Sequence, residues 1–225
     1  MTDRVVAILF DLDGTLLDSE AVATAAFVEA YEQAGGVGTA PTSDFLGLAG
    51  HPFPEICRLL GLPAGMDGFF VQAASRRSGS LRLFPWVDSM LETLTARGAR
   101  LGIVTGKDRA RTREALRLTG LDRHVETVIT PDDGLPGKPA AAPVLEAARQ
   151  LGAARAIFVG DSPADVLAGR AAGAVTIACT WGAAGAERLF EVGPDHLISD
   201  PHDLLPLLQK IASTLITSDD PPPYG

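Results

Sequence analysis

The sequence predicts an α/β protein, a doubly wound parallel sheet carrying an inserted α-helical cap subdomain. Three observations support this. Short runs of β-branched and aliphatic residues recur at 5–10, 100–104, 125–129, 156–159 and 175–178, apolar on both faces as strands of a helix-covered parallel sheet must be. Among the later runs, segments 108–118 and 140–151 place apolar residues at three- and four-residue steps, the period of a helix with one buried face. The long stretch between the first run and the second carries helical patterns of its own at 20–33, 53–60 and 66–76, too much for one crossover.

In chain order, the first strand leads into FDLDGT, residues 10–15. The chain then leaves the sheet near Leu17 and returns at 83–85, so residues 1–16 and 84–216 are expected to form the core and 17–83 the cap, punctuated by Gly35, Gly36 and Gly38. Strands and helices alternate from there on, which implies right-handed crossovers. The closing SDDPPPYG has nothing to bury, and 217–225 is expected to be a frayed tail.

With 225 residues, 46% of them hydrophobic and 21% charged, the chain can bury a real core. Its 19 Lys and Arg stand against 28 Asp and Glu, a net charge of −9. Such a field repels polyanions, so neither nucleic acid nor an anionic membrane is expected as a partner. No apolar stretch approaches the roughly 20 residues that cross a bilayer, and the first one is too short for a signal segment. Cys57 and Cys179 are far apart among apolar neighbours, which favours reduced core thiols and a cytoplasmic location.

The chemistry gathers at strand ends. Asp11 and Asp13 lie two apart where the first strand stops, so an extended backbone aims both side chains to one side, and Gly14 permits the turn that follows. Two carboxylates converging on one volume need a cation beside them or a shared proton, whereas a plain strand-ending turn needs neither. In VGDSPAD, residues 159–165, Ser162 suits a helix N-cap, Pro163 the first helical position and Asp165 the acidic partner of the cap. Asp161 has no part in that cap and adds an oxygen ligand for a hard divalent ion. Thr105 and Gly106 read either as a helix entry or as a hydroxyl and free N–H groups for phosphate oxygens. Lys138, one of three lysines with Lys107 and Lys210, precedes Pro139 and a helix. Open α/β sheets bind ligands beyond the carboxyl ends of strands where strand order reverses, so these motifs point to a single site.

Taken together, DLDGT, Thr105, Lys138 and GDSPAD resemble the four signature motifs of the haloacid dehalogenase superfamily. The likeness spans residues 4 to about 208, and the insertion between Asp13 and Thr105 resembles the C1 cap of its phosphoglycolate-phosphatase-like branch. The resemblance implies a Mg²⁺-dependent phosphatase that hydrolyses a phosphate monoester of a small metabolite through an aspartyl-phosphate. In that scheme Asp11 is the nucleophile and Asp13 the acid and base. Mg²⁺ is held by Asp11, the Asp13 backbone carbonyl and Asp161, with Asp165 in support, while Thr105, Gly106 and Lys138 bind the phosphoryl group.

Dehalogenase relatives lack the second aspartate, and phosphonatase relatives use a cap lysine, yet no lysine precedes Val104. β-Phosphoglucomutase relatives carry a histidine in the first cap helix, and residues 19–34 hold none. A phosphomutase and a non-catalytic phosphate-binding module remain the alternatives. Substrate choice falls to the cap, where 46–63 is similar in wording to phosphatases of the aminohydroxybenzoate pathway. There His51 is a candidate substrate ligand or a cap-packing residue, Arg76, Arg77 and Arg82 either meet an anionic substrate or form a solvated helix end, and Trp181 either edges the site or packs. A monomer or weak homodimer is expected.

Overall fold

The computed structural model describes residues 5–217, so the expected tail lies outside it except for Thr217. The chain begins with β1 (Val6–Phe10) and the two-residue β2 (Leu17–Asp18). Helices α1 (Glu20–Gln33), α2 (Thr42–Gly47), α3 (Phe53–Leu60) and α4 (Met66–Arg76) follow, then β3 (Arg82–Leu83) and α5 (Val87–Ala96). Alternation then sets in with β4 (Arg100–Val104), α6 (Arg109–Thr119), β5 (Thr127–Ile129), α7 (Ala142–Gln150), β6 (Arg155–Gly160) and α8 (Pro163–Ala171). The last elements are β7 (Val175–Cys179), α9 (Ala186–Glu191), β8 (His196–Ile198) and α10 (Leu204–Thr217).

Six strands form one sheet in the order β5-β4-β1-β6-β7-β8, every neighbouring pair parallel. The chain steps outward from β1 through β4 to β5, then crosses to the other side of β1 for β6. Strand order therefore reverses around β1, and the carboxyl end of β1 is the switch point at which such sheets open a crevice. Alternation along β1 explains the two layers of helices. Ile8 and Phe10 face a core with Leu91 of α5, Leu116 of α6 and Leu208 of α10, whereas Ala7 and Leu9 face Val144 and Ala147 of α7 and Ala168 of α8.

Where the chain leaves and re-enters the sheet, β2 and β3 pair antiparallel, Leu17 opposite Leu83 and Asp18 opposite Arg82. The helices between them have a core of their own. Phe27 stacks on Phe45 at 4.3 Å and Phe53 on Phe70 at 3.8 Å, with Ile56, Met66 and Ala73 buried around them. Each such ring taken fully out of water contributes about 1.5–3 kcal/mol.

Some elements fall outside the periodic segments of the sequence. Strand β8 has three residues and α2 and α9 have six each, too short to display a period. The run at 125–129 becomes a strand only from Thr127, although Glu126 N–H already donates to Leu101 O at 2.9 Å. Thr105 is not the helix entry: α6 is capped by Asp108, whose side chain accepts the Arg111 N–H. Cys57 and Cys179 are both free thiols. No described helix is long and apolar enough to cross a membrane.

Candidate active site

The site is assembled by the sheet register. Asp11 directly follows β1, and its N–H donates to Val159 O at 2.9 Å, which sets it beside the end of β6. Thr105 follows β4 and is tied to Ile129 O at 3.0 Å. Lys138 reaches in from the loop after β5. Its Nζ is buried and donates to Asp11 Oδ1 at 2.5 Å, to Asp165 Oδ1 at 2.6 Å and to Val104 O at 3.1 Å.

Asp165 has two duties. Ser162 N–H and Oγ both donate to its Oδ2, and its own N–H returns to Ser162 Oγ, a capping box that opens α8. The other oxygen is the one turned to Lys138. Asp161 is oriented by the Thr15 hydroxyl at 3.0 Å and the Ala183 N–H at 3.0 Å. Its surroundings leave no slack. A Cβ on Gly14 would lie 2.3 Å from Asp161 Oδ2 and one on Gly182 2.1 Å from it, and Gly14 also has φ +79°.

Asp11, Asp161 and Asp165 are buried and each offers an oxygen within 4.8 Å of the others. Burial, above all, lifts the Asp11 carboxyl well above its usual range; Lys138 pulls it down, and Asp165 and Asp161 push it up. Burial and then Asp165 push Asp161 up to about 7 against the Ala183 and Thr15 hydrogen bonds. Burial also works against the charge on Lys138, but Asp11 and Asp165 outweigh it and raise its pKa. Three carboxylates thus share one ammonium. A hard divalent cation with oxygen ligands, Mg²⁺ included, fits that deficit.

Asp13 departs from the expected convergence. Its side chain is outside the carboxylate cluster and takes an ion pair from Lys107 at 2.7 Å. The physical reason is local: β1 ends at Phe10, and Gly14 N–H closes on Leu17 O at 2.9 Å, so the strand alternation that would aim Asp13 beside Asp11 has already stopped. The expected convergence of the Asp11 and Asp13 side chains is therefore corrected, while Asp13 lines the same cavity as Asp11. Burial would raise the Asp13 carboxyl, but Lys107 more than offsets it and the net shift is downward.

The cavity, about 140 Å³, lies between sheet edge and cap and is lined by Asp11, Asp13, Thr105, Gly106, Lys107 and Asp161 on the core side. The Thr105 hydroxyl accepts the Lys107 N–H at 3.2 Å. His51 lines the cap side, with Nδ1 3.5 Å from Glu55 Oε2 and no hydrogen-bond partner. The cap loop rests on the core: a Cβ on Gly106 would sit 2.7 Å from His51 O, and Arg188 donates to Gly47 O at 2.8 Å.

For Arg76, Arg77 and Arg82 the contacts favour the reading as a solvated helix end: Arg76 and Arg77 pair with Glu29, Arg82 donates to Gly79 O and Leu81 O, and none of the three lines the cavity. Trp181 is likewise absent from the lining: it packs edge-on against Trp86 and donates to Thr15 O at 3.3 Å. Lys107, Arg111 and Glu114 do line the cavity and were not singled out from the sequence. Only Arg111 and Glu114, three apart on α6, carry a helical spacing signal; Lys107 lies ahead of the Asp108 cap.

Comparison with known proteins agrees with this architecture. A family profile described as Haloacid dehalogenase-like hydrolase matches residues 8–179. The chain is 35% identical over 211 residues to the pyrophosphatase PpaX of Bacillus velezensis, spanning 91% of this chain and 97% of that one. It is 31% identical to the phosphoglycolate phosphatase of Synechococcus elongatus, spanning 91% and 98%. A hydrolase from Pseudomonas syringae of known structure superposes with a TM-score of 0.82 at 26% identity, covering 91% of this chain and 98% of that one.

Proposed function

Because the chain belongs to the haloacid dehalogenase-like hydrolases and is a phosphatase of that family, we propose that it hydrolyses a small-molecule phosphate monoester through an aspartyl-phosphate on Asp11, with Mg²⁺ as cofactor. The observation that carries this reading is the buried Asp11–Lys138–Asp165 contact with Asp161 alongside, all at the switch point of the sheet.

In this reading Asp11 attacks phosphorus in line and the leaving alcohol departs toward the cap. Lys138 holds the Asp11 carboxylate in one orientation and offsets charge on the transferred phosphoryl group, helped by the Thr105 hydroxyl and the N–H groups near Gly106. A divalent ion held by Asp11 and Asp161 would neutralise phosphate oxygens and so lower the repulsion that an anionic nucleophile meets. Asp165 supports that arrangement from behind through Lys138 and Ser162.

Asp13 handles the proton. Paired with Lys107 it is the ionised form, the one that accepts a proton from the water attacking the aspartyl-phosphate. The proton that Asp13 takes from that water stays on it while bound phosphate draws the Lys107 ammonium away, and in the next turnover it passes to the leaving alcohol, which returns Asp13 to its ionised form. The test is phosphate release from a panel of monoesters with Mg²⁺, for the native protein and for Asp11→Asn. Turnover that vanishes in the variant agrees with the proposal, and undiminished turnover rejects Asp11 as nucleophile.

A further inference from the structure

Beyond the phosphoryl group, the cavity has a wall of distinctive chemistry. On the cap side it is formed by Val22, Leu46 and Ile56 with the rings of Phe45, Phe53 and Phe70. Phe53 and Phe70 stack on each other at 3.8 Å with an interplanar angle of 9°, which fixes both rings in the apolar wall. A closed apolar cavity of about 150 Å³ admits a benzene ring; the whole cavity here, phosphoryl end included, is about 140 Å³, so the leaving group can be no larger than a single ring.

The charges of the wall speak against a second anion. Lys107 is divided between Asp13, 2.7 Å away, and the phosphoryl group that competes for it, and Arg111 pairs with Asp108 at 2.5 Å while its guanidinium lies 5.0 Å over the Phe70 ring. The insertion holds no lysine, and its arginines, Arg58, Arg76, Arg77 and Arg82, do not line the cavity. Glu20 and Glu114 do line it. An anionic leaving group would be desolvated beside carboxylates with no unpaired cation among the described lining residues to receive it.

Resting on the phosphatase reading above, we propose that the leaving group is an uncharged, ring-sized alcohol with an apolar face, and that the site disfavours esters carrying a second anion there. Pyrophosphate and phosphoglycolate, the substrates in the names of relatives, fall on the disfavoured side. The test compares kcat/KM for benzyl phosphate, phosphoglycolate, glycerol phosphate and pyrophosphate. Benzyl phosphate and phosphoglycolate are both alkyl esters, so the comparison reads the pocket more than leaving-group reactivity.

Benzyl phosphate is expected to lead by at least about tenfold, the scale on which a hydrophobic pocket discriminates. Equal or faster turnover of phosphoglycolate or pyrophosphate overturns the proposal, and a lead for glycerol phosphate overturns its apolar half. Ser75→Lys, which sets a cation on the cap side of the cavity, is expected to move the ratio toward phosphoglycolate by about fivefold or more; an unmoved ratio contradicts the electrostatic half. If no ester is hydrolysed, the phosphatase reading fails, and calorimetry with benzylphosphonate and phosphonoacetate still reads the wall. Tighter benzylphosphonate supports the proposal, and equal or tighter phosphonoacetate overturns it.

Discussion

Replacing Lys138 by Met removes the single ammonium among three buried carboxylates while keeping an unbranched side chain. Lys138 is 2% exposed and holds Asp11 at 2.5 Å and Asp165 at 2.6 Å. Deleting one partner of a buried pair costs about 3–5 kcal/mol, a large part of the roughly 5–15 kcal/mol that holds a domain together. The loss is pH-dependent. Without the ammonium, the Asp11 carboxyl, already lifted by burial, can escape its charge only by binding a proton, so the deficit is largest near about pH 8 and shrinks toward about pH 5.

The lysine itself contributes no slope in that interval. Its folded pKa is raised, so its stabilisation is complete below the unfolded value of about 10.4 and is lost only as pH climbs through the still higher folded value. Urea unfolding of metal-free native and Lys138→Met proteins at the two pH values reads the difference directly. Lys107→Met serves as the contrast: its partner Asp13 has a side chain 36% exposed, so about 1 kcal/mol is expected. A Lys138→Met loss under about 1 kcal/mol, or one equal at both pH values, would refute the reasoning.

Further expectations concern the same cluster. Asp161 is raised to about 7 in the folded state, so its contribution is full below the unfolded value of about 3.9 and is lost as pH rises through about 7. Thermal unfolding of metal-free protein should therefore show stability falling over that window, with Mg²⁺ restoring it and Asp161→Asn flattening the slope; an unchanged slope in that variant contradicts the assignment. Gly182→Ala touches no reacting group, but its Cβ would lie 2.1 Å from Asp161 Oδ2, so apparent Mg²⁺ affinity should weaken by about 10- to 100-fold, as read from calorimetric titration. Asp11→Asn should be inactive and, without metal at about pH 8, should lose less stability than Lys138→Met, because Lys138 keeps Asp165 as a partner while one of three crowded carboxylates is gone. Denaturant midpoints measure that, and a loss equal to that of Lys138→Met would count against it.

The legible part of this protein was the part written in local chemistry. The β1, β4 and β6 ends, with Asp11, Thr105 and Asp161, follow from apolar runs that stop at a carboxylate or hydroxyl, and the Ser162–Asp165 box follows from capping rules alone. Three cap helices matched their sequence period to the residue because each buries one face on a shared aromatic core. What stayed hidden depends on pairing between distant segments. Lys107 on Asp13, Arg76 and Arg77 on Glu29, and Arg111 over Phe70 are chosen by the fold, not by spacing. Asp13 misled because the two-residue rule holds only while a strand continues, and β1 had ended.

A covalent acyl-phosphate bond to Asp11 is the central expectation for this chain. Acid quenching during turnover, borohydride reduction of the acyl-phosphate and peptide mass spectrometry locate that bond. Homoserine at position 11, absent when substrate is withheld, is the predicted result. Steady phosphate release with Asp11 unmodified, or with the modification on Asp13 or Asp161, would contradict it.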